Sequence, residues 1–187
     1  MSRSPAIHIG RTGRAHGLAG EVRVHILRRY AHVFPRLDGV LLTGDRGEER
    51  RARIVGSRLH QDVYLVRFDA VSDRTGAETL RNHDVAADRE ALERAGIPPP
   101  FPEDFVGLAV ITTEGIRVGV VEGVDDFPAG DMLRVVDGDS ESLIPAVPEI
   151  VTAVDLDEGT ITVDPPPGLL DINRGDGEAA GDRCAST

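Results

Sequence analysis

A short turn bounded by two glycines, Gly17 and Gly20, constrains the fold of this chain more than any other stretch. The residues before it (6–14) and after it (21–28) alternate between apolar and polar side chains, which is typical of β-strands with one buried face. Glycine adopts positive φ without steric cost, so both positions allow the chain to reverse or to bulge between strands. The sequence therefore predicts a β-hairpin.

The basic side chains around this hairpin allow two interpretations. In the first, the hairpin is purely structural and its arginines face solvent. In the second, they form a cationic edge that meets RNA phosphates, because a guanidinium group matches phosphate oxygens in a bidentate way. Base stacking is a weaker possibility, since the chain has only two tyrosines and five phenylalanines. The candidate RNA-binding or ribosome-binding residues are Arg11, Arg14, His16, Arg23, Arg28 and Arg29.

Short runs of β-forming residues predict further strands in the first half, and their spacing indicates a small closed β-barrel. Helices are predicted over 73–80, with Ser72 or Asp73 as N-cap, and over 89–95, ended by Gly96. The proline-rich stretch 98–102 excludes both helix and sheet, so residues 95–103 are predicted to be a stiff linker after a first domain of residues 1–94. The further strands are 39–43, 50–55, 63–68 and 83–87.

The second half also predicts an all-β domain, over residues 104–173, followed by a polar, glycine-rich and disordered tail at 174–187. Asp157–Gly159 indicates a hairpin turn. Pro145 and Pro148 would fail in a central strand, so they predict an edge or an irregular crossing. The predicted strands are 105–111, 118–124, 132–136, 142–145, 150–156 and 160–163.

Charge separates the two halves. Residues 1–94 contain 17 arginines and 13 acidic residues, a net charge of +4, whereas residues 95–187 contain 4 arginines and 19 acidic residues, a net charge of −15. Such an asymmetry suggests two different partners, with RNA favoured by the first half and a basic protein by the second. The alternative is that the acidic surface merely confers solubility.

Several classes of protein find no support in the sequence. A Walker loop requires lysine, which the chain lacks, and the glycine spacing before residue 20 does not fit a dinucleotide loop. The histidines are scattered, and the paired aspartates lack the pattern of a calcium loop. We therefore predict no catalytic residue, metal or cofactor. The single cysteine, Cys184, and the absence of a long apolar run predict a cytoplasmic protein without a membrane segment.

Two blocks resemble a known family. Residues 10–24 contain the run His16–Glu21, which resembles the His-Gly-Leu-x-Gly-Glu hallmark of the bacterial ribosome maturation factor RimM family. Residues 143–151, followed by 154–156 and 168–171, resemble the end of the same family's C-terminal domain. The two blocks occur in the family's order, and the resemblance covers residues 6–173.

The resemblance implies two small β-barrels, a translation-factor-like barrel and a PRC-barrel, joined by the linker. It also implies a non-enzymatic, monomeric factor that binds the head of the immature small subunit through ribosomal protein S-nineteen and nearby 16S rRNA. The factor would assist folding of the head domain of that rRNA. The candidate residues for the ribosomal-protein contact are Phe101, Asp131, Pro145 and Pro148.

One position departs from the family. Members commonly carry a tyrosine pair where this chain has Pro100 and Phe101. Phe101 either fills an apolar pocket on a partner or packs between the two domains. Two other functions remain open: a barrel that binds tRNA or mature ribosomes, and a PRC-type module that binds a small molecule or associates with a membrane.

Overall fold

The computed structural model describes residues 6–170, and most of its regular structure is β-strand. The chain divides between Pro99 and Pro100 into two compact units, each with its own sheet. The all-β fold expected from the alternating patterns is confirmed. The predicted tail, residues 174–187, lies outside the described residues.

The first unit is a closed six-stranded barrel in which neighbouring strands are antiparallel, in the order β1-β2-β5-β4-β3-β6. Strand β6 pairs with both β1 and β3, so the sheet closes on itself and leaves no free edge. The strands are β1 (Ala6–His16), β2 (Glu21–Ile26), β3 (Gly39–Thr43), β4 (Glu49–His60), β5 (Val63–Phe68) and β6 (Asp84–Asp88).

The barrel core follows the sequence alternation. Val22 and Val24 of β2 are buried, whereas Arg23 and His25 between and after them are exposed. Because successive side chains on a strand point to opposite faces, the same pattern that fills the core places basic groups outside.

Short helices surround the barrel. Two of them match the prediction: α2 (Arg74–Thr79) begins after Asp73, whose carboxylate accepts a hydrogen bond from the Gly76 N–H at 2.8 Å, and α3 (Arg89–Ala95) ends at Gly96, with φ 107°. The sequence did not predict α1 (Arg28–Ala31) or the 3₁₀ turn that follows it at Phe34–Arg36.

The second unit is a six-stranded sheet in the order β10-β9-β8-β7-β12-β11. All its pairs are antiparallel except β7 with β12, which run parallel. The strands are β7 (Ala109–Thr112), β8 (Arg117–Phe127), β9 (Gly130–Asp137), β10 (Ser140–Pro145), β11 (Val151–Asp155) and β12 (Thr160–Val163). Their inward residues form one apolar cluster of Val110, Val121, Leu133, Val135, Ile144, Ile161 and Val163.

The start of this unit corrects the prediction. Residues 105–111 were predicted to be one strand, but Pro102–Phe105 form a helix, α4, and β7 begins only at Ala109. Proline is compatible with the first helical turn, and the Asp104 carboxylate accepts a hydrogen bond from the Phe101 N–H at 2.8 Å. The edge position of Pro145 in β10 and the β11–β12 hairpin agree with the sequence.

Candidate functional site

The β1–β2 hairpin presents two arginines on its outer face. Arg14 lies where the β1–β2 register shifts between Thr12 and Ala15, which is a β-bulge, and Arg23 lies on β2 opposite this bulge. Gly13 lies close to Arg23, since a Cβ on Gly13 would be 3.6 Å from the Cβ of Arg23, and as a glycine it places no side chain between the two arginines. Both guanidinium groups are exposed, and neither forms a hydrogen bond or ion pair with another of the described residues.

The base of the hairpin is held by polar contacts. Glu21 accepts hydrogen bonds from Arg58 at 3.0 and 3.2 Å. This hydrogen bonding lowers the pKa of Glu21, with the charges of Arg58, His16 and Arg67 adding to the effect against partial burial. His16 is half-buried, and its ring centroid lies 5.6 Å from that of His60. His16 and Arg58 therefore help to hold the hairpin in place.

Arg11 has intramolecular partners. Its guanidinium lies 3.2 Å from the Asp45 carboxylate and 3.6 Å from that of Asp84, and it donates to the Asn82 carbonyl at 3.1 Å. These contacts tie β1 to the β3–β4 turn and to β6. The positive charge of Arg11 is offset by two carboxylates, so it is less suited than Arg14 to meet phosphate.

Arg28 and Arg29 are separated from the glycine turn. They belong to α1, which begins beyond the end of β2 that lies away from the turn. The Arg29 guanidinium lies 5.8 Å from the centroid of the Tyr30 ring, a cation–π distance. Of the six predicted residues, the structure therefore brings Arg14, His16 and Arg23 together around one hairpin.

A second group of arginines lines a cavity of about 540 Å³ in the first unit. Arg51 donates to the Asp88 carboxylate at 2.7 and 3.0 Å, and Arg53 lies 3.4 Å from Asp69. A backbone hydrogen bond from Arg53 is the main cause of the lowered pKa of Asp69. Because carboxylates already pair with Arg51 and Arg53, these two arginines are less suited to bind phosphate than Arg14 and Arg23.

Sequence reasoning did not include Leu18 among the candidates. Its side chain is 82% exposed at the tip of the β1–β2 turn, between Gly17 (φ 64°) and Gly20 (φ 74°). An apolar residue enclosed by two turn glycines was the available signal, because such a turn leaves a side chain at its tip with nothing to pack against.

The second unit brings two of the predicted protein-binding residues together. The Asp131 carbonyl accepts a hydrogen bond from the Ala146 N–H at 2.8 Å, and Pro145 pairs with Met132, the residue after Asp131. Pro148 is exposed nearby in sequence. Phe101 is fully buried, so its ring is not presented as an exposed aromatic anchor.

The surface around Asp131 is acidic and also carries one aromatic ring that the sequence analysis did not identify. Phe127, 41% exposed, lies at the β8–β9 turn, and its strand neighbours include Asp125 and Asp126. The Arg134 guanidinium lies 3.4 Å from the Asp125 carboxylate and 3.6 Å from that of Glu122, so it offsets part of the negative charge of this surface.

Residues 6–170 contain no group of three or more histidine, cysteine, aspartate or glutamate side chains arranged to hold a metal ion. Over the same residues, no helix has both the length and the apolar character needed to cross a membrane.

Comparison with known proteins gives one consistent family. The family model described as the RimM N-terminal domain matches residues 7–92, and that of the RimM PRC barrel domain matches residues 102–169. The ribosome maturation factor RimM of Streptomyces coelicolor is 39% identical over 171 residues, covering 87% of each chain. That of Thermobifida fusca is 40% identical over 169 residues, covering 89% of this chain and 98% of its own.

A solved structure is also similar. It is a putative 16S ribosomal RNA processing protein RimM from Pseudomonas aeruginosa, with 26% sequence identity and a TM-score of 0.42. The match covers 87% of this chain and 98% of that chain.

Proposed function

The chain belongs to the RimM family of ribosome maturation factors, and from this premise we propose that it binds the head of the immature small ribosomal subunit and assists maturation of 16S rRNA. In this proposal the first unit contacts head-domain rRNA and the second contacts ribosomal protein S-nineteen. The factor acts as a monomer in the cytoplasm.

The observation that carries the RNA contact is the pair Arg14 and Arg23. Both are exposed, they lie on opposite sides of the Gly13 bulge, and neither has an ion-pair partner among residues 6–170. Arginines without a carboxylate partner are free to bind phosphate oxygens, and binding releases counterions from the RNA. Arg11 lies on the same hairpin but contributes less to RNA binding, because Asp45 and Asp84 compete with phosphate for its guanidinium.

The protein contact rests on the acidic end of the second sheet. Asp131, Pro145 and the exposed Phe127 lie on adjoining strands, and the half of the chain that contains them carries a net charge of −15. A basic ribosomal protein is attracted to such a surface, whereas RNA is repelled. Phe101 is not included, because its ring is buried.

The mechanism is selection among conformers and requires no catalytic group. A factor that binds one arrangement of the rRNA–protein head more tightly than others shifts the population toward that arrangement. Release follows once the mature head no longer offers the same surface.

The test is binding of the full chain to purified head-domain rRNA across a salt series. If about four phosphates are contacted, log affinity falls with log salt concentration with a slope of roughly −3 to −4. Each of Arg14→Glu and Arg23→Glu is expected to weaken binding and to reduce the slope by about 1, and the double variant to abolish most of the binding.

Arg117→Glu is the matched control, because it makes the same charge change at an exposed arginine of the second unit. It should leave rRNA binding nearly unchanged. Equal losses in all three single variants would show that only net charge matters and would contradict the hairpin site. Preference for mature over immature subunits would instead favour a factor that binds tRNA or mature ribosomes.

A further inference from the structure

Leu18 is the most exposed large hydrophobic residue in the part of the chain that the structure describes. Its side chain is 82% exposed, against 63% for Leu59 and 50% for Leu156. Single exposed apolar residues are common on protein surfaces, so exposure alone indicates no function. Leu18 differs from the other exposed apolar residues because its turn packs against α2 and because arginines flank it on both strands.

The turn that carries Leu18 packs against the residues that start α2. A Cβ on Gly20 would lie 3.0 Å from the backbone of both Ser72 and Asp73, so the turn packs directly against the start of α2. Asp73 is itself fixed, because its carboxylate caps α2 through the Gly76 N–H. The leucine therefore projects from a supported turn at a defined position, which lowers the entropic cost of placing it into a partner.

Basic groups flank the leucine on both sides. Arg14 lies three residues before Gly17 and Arg23 three residues after Gly20, one on each strand of the hairpin and each about 10 Å from the turn at 3.3 Å per residue. His16 stands between them and the tip. An apolar tip with two cationic flanks is complementary to nucleic acid, whose bases have apolar faces and whose phosphates are negative. The same flanks would repel a basic ribosomal protein.

We propose that Leu18 inserts between two bases of an unpaired or bulged rRNA segment while Arg14 and Arg23 hold phosphates on either side. Proteins that deform nucleic acids use leucine and similar apolar side chains as wedges between base steps. Sequence-specific RNA recognition targets single-stranded loops and bulges, whose bases can be splayed apart more readily than those of a duplex. This inference rests on the proposed function and adds to it the residue that would read the shape of the RNA.

The experiment uses the full chain and head-domain rRNA that carries the fluorescent base 2-aminopurine at its unpaired positions, one position at a time. Wild-type protein should raise the fluorescence at one such site, because unstacking relieves quenching. Leu18→Ala should weaken binding about tenfold through the lost apolar contact, leave the salt slope unchanged, and remove the fluorescence rise. Leu18→Met, which keeps an apolar side chain of similar volume, should restore most of both signals.

Leu156→Ala is the matched control, since it removes an exposed leucine near a hairpin turn of the second unit. It should bind and unstack like the wild type. The wedge is refuted if Leu18→Ala unstacks the base as the wild type does, or if its affinity falls together with the salt slope. A loss confined to the ribosomal protein would assign the leucine to a protein pocket instead. If wild-type protein binds no rRNA at all, the proposed function itself fails.

Discussion

At the scale of single residues, Arg11 and Arg14 show how neighbours on one strand acquire different roles. Arg11 pairs across the sheet with His25 and contacts Asp45 and Asp84, whereas Arg14 lies in a bulge. Arg14 lies three residues further along β1 than Arg11, and no ion pair joins it to another of the described residues. The difference depends on residues 34 and 73 positions away in the sequence, so no local pattern predicts which arginine is free for RNA.

Thr12, between these arginines, is buried and satisfies several polar groups. Its hydroxyl, which has one proton to donate, lies within hydrogen-bond distance of the carbonyls of Leu80 and His83, and it accepts a hydrogen bond from the His83 N–H at 2.8 Å. Thr12→Val removes the hydroxyl partner of the Leu80 carbonyl and of the His83 N–H, whereas the His83 carbonyl keeps the backbone N–H of residue 12 at 2.9 Å. We expect the free energy of unfolding to fall by about 1–3 kcal/mol in urea denaturation.

Thr113→Val provides the comparison for Thr12→Val. The Thr113 hydroxyl donates to the Asp164 carboxylate at 3.3 Å in an exposed position, where water replaces the lost partner. Its substitution should change the free energy of unfolding by less than about 0.5 kcal/mol. Similar effects at both positions would contradict the structural role assigned to Thr12.

At the scale of elements, β1 is irregular because it must pair with both β2 and β6. Its register shifts at two places, between His8 and Gly10 against β6 and between Thr12 and Ala15 against β2. Bulges of this kind bend a strand and increase its twist, which a barrel needs in order to close. The second bulge also places Arg14 on the outer face.

Gly10 allows β1 to approach β2 closely. A Cβ at this position would lie 2.1 Å from the His25 carbonyl oxygen, closer than any real contact. Gly10→Ala therefore forces β1 and β2 apart, and we expect a loss of about 2 kcal/mol or more in the free energy of unfolding, measured by urea denaturation.

Gly56→Ala tests whether this loss is specific. Its Cβ would contact only the flexible end of Arg67, at 3.9 Å, and alanine costs less backbone entropy than glycine in a strand. The variant should be as stable as the wild type or slightly more so. A loss equal to that of Gly10→Ala would mean that any side chain on these strands is harmful.

The sequence predicts elements well where its apolar residues alternate and poorly where they do not. Val22, Val24 and their polar neighbours specify a strand with one buried face, and the structure agrees. The run 105–111 is almost continuously apolar, so it carries no period, and Pro102 and Asp104 instead start a helix before it. Four-residue helices such as α1 are too short to produce a period of 3.6.

The sequence predicts the candidate site only in part. Residue type identified the arginines around the glycine turn, and the positive charge of the first half assigned them to RNA. Residue type could not reveal that Arg11 is paired with Asp45 and Asp84, because those ion pairs form only in the folded barrel. Burial of Phe101 likewise depends on tertiary packing, since an aromatic residue beside prolines is compatible with either environment.

At the scale of the whole molecule, charge is divided in the same way as the fold. The first unit carries the net positive half of the sequence, and the second carries the strongly negative half. Surface charge of this kind governs association rate and choice of partner rather than stability.

Hydrogen–deuterium exchange of the full chain would test this division of partners. Head-domain rRNA should slow exchange in residues 13–23, and ribosomal protein S-nineteen should slow it in residues 125–132 and 145–148. The reason is that opposite charges bring each partner to a different unit. The double variant Arg14→Glu and Arg23→Glu should lose only the first protection. Protection by rRNA in the second unit would contradict the assignment.

The parallel pairing of β7 with β12 has a consequence for how the chain folds as it is synthesised. The barrel of the first unit has all its strands once residue 88 is available, whereas β7, ending at Thr112, must wait for β12, which begins at Thr160. At about 5–20 residues per second, translation of the intervening segment takes some seconds. During that interval the apolar residues of β7 lack one neighbour, so the first unit forms on the nascent chain and the second is completed late.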